Sequence, residues 1–364
     1  MTSDAERDLE RDIVVLAAGM MTAVGLTAAE TAASVRAGVA RFVESSIRDH
    51  RFAPFTLAEV PEDGLPGMAD GVEPVPPAPG LTARERRLLR LATMPIRECL
   101  AALPAGARAP GLVLALPAAE TTRPLDGATL LARLAQQLGG AFDPRSSDAS
   151  DRGRAGGLAA IERAAMVLRA GRAPFMLAGG VDTYRDLYVL GTLDQEQRVK
   201  SAAHLDGFIP GEGAGILLLA TRGTAAKAGL PPLAVLSPAA GAMEEGHLYS
   251  EEPYRGNGLA AALAGLFDSG VVKEPVRDVY SSMNGESHWA KEWGVGFLRN
   301  RAAFLPDHGM HHPADCFGDT GAASGPLMVG LAALGVRGGY RGSPCLVYGS
   351  SDDGPRAALA VSAA

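Results

Sequence analysis

One helix–turn–strand unit occurs twice in this chain. An apolar helix reads from Gly156 and Gly157 to Arg169 and Gly171, a short turn follows, and a strand over 174–178 ends in Gly179, Gly180, Val181 and Asp182. The same punctuation returns from Ser324 and Gly325: an apolar helix to Arg337 and Gly339, a short turn, a strand over 344–348, then Gly349, Ser350, Ser351 and Asp352. Two units of nearly equal length at corresponding places imply a duplicated architecture. The join falls near residue 230, where Gly229, Pro231 and Pro232 separate a helix from a strand over 233–236. The expected organisation is a polar tail over 1–11, a first half over 12–230 and a second half over 231–364. The stretch 61–80 holds six prolines and four glycines and reads as an irregular excursion. Short apolar runs such as 12–18 and 111–116 alternate with helical patterns, which predicts an α/β fold with buried, largely parallel strands. Thr27 with Glu30, and Thr82 with Glu85, mark two helix starts, and Pro95 should kink the second helix.

The 364 residues suit two domains or one large duplicated one. Apolar residues make up 47% and charged residues 21%, which excludes wholesale disorder. Aromatics are only 5%, so Ala, Val, Leu and Ile must fill the core. A net charge of −7 argues against a general nucleic-acid surface, because phosphate binding needs clustered positive charge. Cys99, Cys316 and Cys345 are too scattered for a disulfide framework; Cys99 and Cys345 read as core, Cys316 as a buried or loop thiol. The polar N-terminal residues offer no apolar signal core, and no apolar run approaches the ~20 residues that span a bilayer. A cytoplasmic location is the expectation.

Three stretches together resemble the β-ketoacyl synthases. The strand, loop and helix over 14–39 resemble their opening, Leu177 to Asp182 a strand end of theirs, and Asp206, Gly207, Phe208, Gly211, Glu212, Gly213, Ala214 and Gly215 their Asp-Gly-Phe-x-x-Gly-Glu-Gly-Ala-Gly segment. The last glycine run lacks the Lys-Ser/Thr of a phosphate loop and leads into a strand, so it does not read as a nucleotide site. The resemblance covers about residues 12–362. It implies a thiolase-like five-layer αβαβα fold with two pseudo-duplicated halves, commonly a homodimer, of an acyltransferase superfamily that condenses acyl thioesters. It also implies a nucleophilic Cys at a helix N-terminus, where partial positive charge favours thiolate, and two His residues that activate the malonyl thioester.

At all three positions this chain departs from the pattern. The Cys position falls on Arg154, the first His on Asn284 and the second His on Asp319; the family's Lys falls on Ala314 and its Gly-Phe-Gly-Gly loop on 350–354. Arg stays protonated and cannot serve as nucleophile, and Asn does not shuttle protons at neutral pH. A cation at a helix start needs an anion nearby, so Arg154 is expected to pair with Asp319, Asp352 or Asp353; the local alternative is solvent, Asp148 or Asp151. The possible pocket comprises Arg154, Asn284, Glu286, His288, Asp319, Thr320, Ser351, Asp352 and Asp353. His308, His311, His312, Asp315 and Cys316 fit no zinc spacing and read as a solvated loop; no metal or cofactor is expected. The dense stretch 284–293 reads either as a His288–Glu286 acid–base pair or as a helix start, with Ser287 as N-cap, Lys291 and Glu292 exposed and Trp289 or Trp293 packed inward.

The resemblance, with these departures from it, thus implies a ketosynthase-like pseudoenzyme that acts as a binding, scaffold or adaptor subunit rather than condensing. Its partners would be a second copy, an active ketosynthase that it serves as a chain-length-factor-like subunit, or an acyl chain or acyl carrier protein. Residues 284–293 and 350–356 also resemble ketosynthase-like proteins found beside bacterial type VI secretion genes, which implies a role in effector handling. The other reading is an acyltransferase, decarboxylase or thioesterase working through His288, Glu286 or Asp319.

Overall fold

The structure is a computed structural model that describes residues 10–73, 80–119 and 122–364. Residues 1–9 of the expected tail and 74–79 of the excursion lie outside the described residues. The main sheet runs β11 (Phe304–His311), β10 (Val276–Ser281), β12 (Cys345–Ser350), β13 (Pro355–Ser362), β8 (Ala234–Leu236), β1 (Ile13–Thr22), β7 (Glu212–Thr221), β6 (Met176–Thr183), β4 (Gly111–Ala115) and β5 (Asp148–Ser150). A short β9 (Ala240–Met243) adds to β13, and β2 (Val43–Arg48) with β3 (Pro54–Leu57) forms a separate hairpin. The order mirrors itself about the β8–β1 contact, which is confined to residues 13–15 and 234–236. The expectation of largely parallel strands is corrected: β4–β5, β4–β6, β10–β11 and β10–β12 are parallel, whereas β1–β7, β6–β7 and β12–β13 are antiparallel. Apolar runs buried on both faces occur in either orientation, so they do not reveal direction.

Helices cover both outer faces and fill the middle, giving the five-layer αβαβα arrangement. Helices Ala83–Leu100 and Gly127–Gln137 pack outside the β1/β7/β6/β4 side, and Asn257–Asp268 and Ser287–Arg299 outside the β13/β12/β10 side. Gly153–Arg169 and Ser324–Arg337 lie between the two sides and touch strands of both. Thr82 and Glu85 complete the predicted capping box, and that helix continues through Pro95. Its Leu88, Leu89, Leu91 and Ile96 are fully buried, each aliphatic chain contributing about 1.5–3 kcal/mol.

The middle layer explains the glycine-rich segment. A Cβ on Gly157 would lie 2.2 Å from Pro326, and one on Gly215 2.7 Å from the Leu327 amide. The two central helices and β7 therefore approach as closely as backbones allow. The carboxylate between these glycines is structural as well. Glu212 accepts from Arg87 Nε and the Thr183 hydroxyl at 2.7 Å and from the Val60 amide at 2.8 Å. No helix among the described residues is long and apolar enough to cross a membrane.

Candidate functional site

The helix Gly153–Arg169 begins with Gly153 in a left-handed conformation, φ 57°, which a side chain would strain. No side chain of its own caps it. Ser351, on the turn after β12, accepts from the Ala155 amide at 2.9 Å and donates to the Arg152 carbonyl at 2.6 Å. A residue nearly two hundred positions away thus fixes this helix start and brings the 350–354 turn to Arg154.

Arg154 is 2% exposed, and the cross-loop ion pair expected of it forms with two carboxylates. Its Nε donates to Asp319 Oδ2 at 2.7 Å, with Nη2 2.6 Å from the same oxygen, and Nη1 donates to Asp352 Oδ1 at 2.5 Å. Asn284 Nδ2 donates to Asp319 Oδ2 at 2.8 Å and to Glu286 Oε2 at 3.0 Å. Asp319 therefore joins Arg154 and Asn284, each in direct contact with it. Asp319 is held from its own loop by the Gly321 amide at 2.8 Å.

A second guanidinium completes the cluster. Arg198 forks onto Glu286, Nε to Oε1 at 2.8 Å and Nη2 to Oε2 at 2.9 Å, and donates from Nη1 to Asp352 Oδ2 at 2.9 Å. Its Nη1 also donates to the Tyr249 hydroxyl at 2.8 Å, which donates to Glu196 at the rim at 2.9 Å. Trp289 Nε1 donates to Glu286 Oε2 at 2.9 Å, and its ring centroid lies 5.1 Å from the Arg154 guanidinium and 5.6 Å from that of Arg356. Both guanidiniums of the cluster come from elements before β8, and Glu286, Asp319 and Asp352 from elements after it.

Burial alone would lower the Arg154 and Arg198 values; the neighbouring carboxylates reverse this and hold both guanidiniums charged. Burial would raise Asp352, but Arg154 and Arg198 together drive it well below the usual carboxylate range. Asp182, beside the same pocket, behaves oppositely. Burial raises it to about 6, only partly offset by Arg84, while the Thr183 and Ala322 amides bind it at 2.7 and 3.0 Å.

Among the described residues little space remains beside the cluster. The cavity bounded by Ala118, Arg154, Asp182, Tyr184, Gly321 and Asp352 measures ≈10 Å³, and the one on the Ser281, Phe317 and Asp319 side is also ≈10 Å³. Each holds about one water and no acyl chain. Of the other expected pocket residues, Thr320 is buried against the Ser324 hydroxyl at 3.0 Å, and Asp353 is half-buried in the turn beyond Asp352. His288 stands apart, its ring 4.4 Å from Tyr254 and 4.7 Å from Trp289, and burial lowers its pKa.

Two details of the 284–293 stretch are corrected. Glu286, not Ser287, occupies the N-cap position, because Ser287 is drawn to Asp206 by its amide and hydroxyl, both at 2.7 Å. Glu292 is buried rather than exposed, since Arg356 reaches it at 2.6 Å. The 308–312 residues lie on edge strand β11 and beyond, not in a solvated loop: His308 faces the Leu305 carbonyl, His311 Asp278 and His312 Ser281. Among the described residues no group of three His, Cys, Asp or Glu is placed to hold a metal. Arg198 and Tyr249 were not foreseen. Arg198 sits between Glu196 and Lys200 in sequence and reads as a solvated charge; Tyr249 sits in an acidic loop.

Residues 149–225 match the family model for the N-terminal domain of β-ketoacyl synthases. No curated protein matches the sequence. Among solved structures, the ishigamide ketosynthase/chain length factor is similar with TM-score 0.77 at 16% identity, over 97% of this chain and 99% of that one. A type II polyketide acyl-carrier protein complex with its ketosynthase bound to the hexaketide gives 0.78 at 17%, over 97% and 99%. The module 6 ketosynthase of the bacillaene synthase of Bacillus subtilis 168 gives 0.76 at 14%, over 97% and 72%. The thiolase-like ketosynthase fold therefore extends over nearly the whole chain, and the resemblance read from the sequence stands.

Proposed function

We propose that this chain is a ketosynthase-like subunit that has lost condensing activity and works by binding a second thiolase-fold chain, in the manner of a chain-length factor. The observation that carries the reading is Arg154, a permanent cation locked by Asp319 and Asp352 at the helix start where the resemblance places a nucleophile. Among the described residues the two cavities beside the cluster, ≈10 Å³ each, admit no acyl chain, and His288 lies outside the ion cluster. A surface for a partner chain supports the same reading. An open groove of ≈400 Å³ is lined by Ala155, Ala159, Met166, Gly241, Met243 and Ala357, with Met166 and Met243 each 61% exposed. It adjoins β5, the terminal strand of the sheet, through the Arg163–Asp148 pair at 2.5 Å. Exposed apolar side chains beside an open strand edge mark an interaction face.

The pathway served is either polyketide or lipid assembly with an acyl carrier protein, or type VI effector handling. The test combines the purified chain with acyl- and malonyl-thioesters, then measures its mass in solution alone and with a ketosynthase from the same cell. The expected result is no acyl-enzyme, no carbon dioxide release and a dimer that Met166→Glu dissociates. Turnover abolished by Asp319→Asn or His288→Ala would replace this reading with an acyltransferase, decarboxylase or thioesterase.

A further inference from the structure

We propose that the cleft is a guanidinium receptor occupied by the chain's own side chains. Its walls are the carboxylates of Asp319, Asp352 and Glu286 and the ring of Trp289, and its ligands are Arg154 and Arg198. The inference rests on the ion cluster described above and adds the ligand class that the cleft recognises.

The geometry is specific for a planar, forked cation. Arg198 meets Glu286 through two parallel donors to two oxygens, and both of its terminal nitrogens reach Asp352, Nη1 at 2.9 Å and Nη2 at 3.3 Å. Arg154 spans Asp319 and Asp352 with different nitrogens while lying over the Trp289 ring. A compact ammonium cannot reproduce this set of contacts. Two of the three carboxylates are also held without the arginines, and Asp352 is held by whichever arginine remains. Asp319 is fixed by the Gly321 amide and Asn284, and Glu286 by Trp289 Nε1, Asn284 Nδ2 and its own amide on Asn284 Oδ1. Cutting an arginine back therefore leaves a preorganised anionic cage with one guanidinium missing.

The test is chemical rescue of the full chain. Arg154→Ala and Arg198→Ala, each also in a Trp293→Phe background, are unfolded in urea at increasing millimolar guanidinium or methylguanidinium. Ammonium and sodium chloride at equal ionic strength are the controls. Guanidinium should raise the folded-to-unfolded ratio about tenfold at ten times its dissociation constant, saturably, and shift Trp289 fluorescence. Ammonium and sodium should do neither, and the unmodified chain should show no saturable response. If Arg154→Ala does not fold, Arg198→Ala decides, because its site opens toward Tyr249 at the rim. A folded Arg198→Ala chain that responds to guanidinium no differently from sodium overturns the receptor. That failure leaves the binding-subunit reading intact, which falls to thioester turnover or to a chain that stays monomeric both alone and with the ketosynthase.

Discussion

Replacing Arg154 with Met keeps an unbranched apolar stem against the central layer and removes only the charge and its donors. Asp319 is 3% exposed and Asp352 8%, so neither carboxylate regains solvent. Asp319 Oδ2 keeps only Asn284, and Asp352 keeps Arg198. An exposed pair would be worth at most about 1 kcal/mol, whereas breaking a buried one by removing a single partner costs about 3–5 kcal/mol. The second figure applies here, because the loss is dominated by a carboxylate left desolvated. Urea unfolding followed by circular dichroism should place Arg154→Met about 3–5 kcal/mol below the parent. Asp319→Asn alone leaves the guanidinium with Asp352 and should cost less. The double variant should lose less than the two singles together, with a coupling of about 1–3 kcal/mol. A single-variant loss under about 1 kcal/mol, or additivity within about 0.5 kcal/mol, would refute the claim that this cluster is a desolvated network.

Asp182 and Asp352 should pull the pH profile in opposite directions. Asp352, driven below its ordinary 3.8, contributes stability that is present above that value and lost as pH falls through its folded value. Asp182, raised from 3.8 to about 6, binds a proton more tightly folded than unfolded, so its contribution falls by about 3 kcal/mol as pH rises through that window. Urea midpoints between pH 4 and 7 should therefore decline less steeply in Asp182→Asn, and superimposable profiles would show that Asp182 titrates normally. Gly215→Val drives a Cβ to 2.7 Å from the Leu327 amide and should abolish soluble folded protein, judged by yield and near-ultraviolet circular dichroism. Gly191→Ala, at a half-buried helix position where nothing lies within 4 Å of the added Cβ, should instead gain about 0.5–1 kcal/mol.

The layered fold was legible because its determinants are local and periodic. The repeated helix–turn–strand unit and the Thr82–Glu85 box each register a demand within a few residues, while the glycines at 211, 213 and 215 mark close approaches to Phe317, Met21 and Leu327 that leave no room for a Cβ. Strand direction was not legible, since β6 and β7 read as the same apolar run whichever way they pair. The Arg154 contacts with Asp319 and Asp352 could be anticipated because a cation at a helix start has to find an anion. Arg198 could not, because its partners Glu286 and Asp352 lie far along the chain and its neighbours Glu196 and Lys200 are what a solvated segment contains. Glu292 was misjudged for the same reason: a carboxylate next to Lys291 reads as a solvated charge, and only the distant Arg356 makes that position an interior one.

The chemistry of the helix start also constrains what could occupy the cleft in place of a reactive group. The turn after β12, the loop that carries Asp319 and the segment at Asn284 all end there. Their backbone groups need partners: the Ala155 amide takes Ser351, the Gly321 amide takes Asp319, and the Glu286 amide takes Asn284. Replacing Asp319 with Leu or Phe would leave the Gly321 amide unpaired, at about 1–3 kcal/mol. The Asp319 carboxylate answers the Gly321 amide, and a guanidinium then neutralises it and Asp352 with donors aimed in several directions. A cleft lined by loop backbone is thus better closed by an ion cluster than by an apolar plug. The same reasoning predicts that the Arg154→Met/Asp319→Leu pair, although matched in charge, will remain less stable than the parent. A double variant as stable as the parent in urea would show that the backbone groups of this cleft find water, and that the cluster is dispensable.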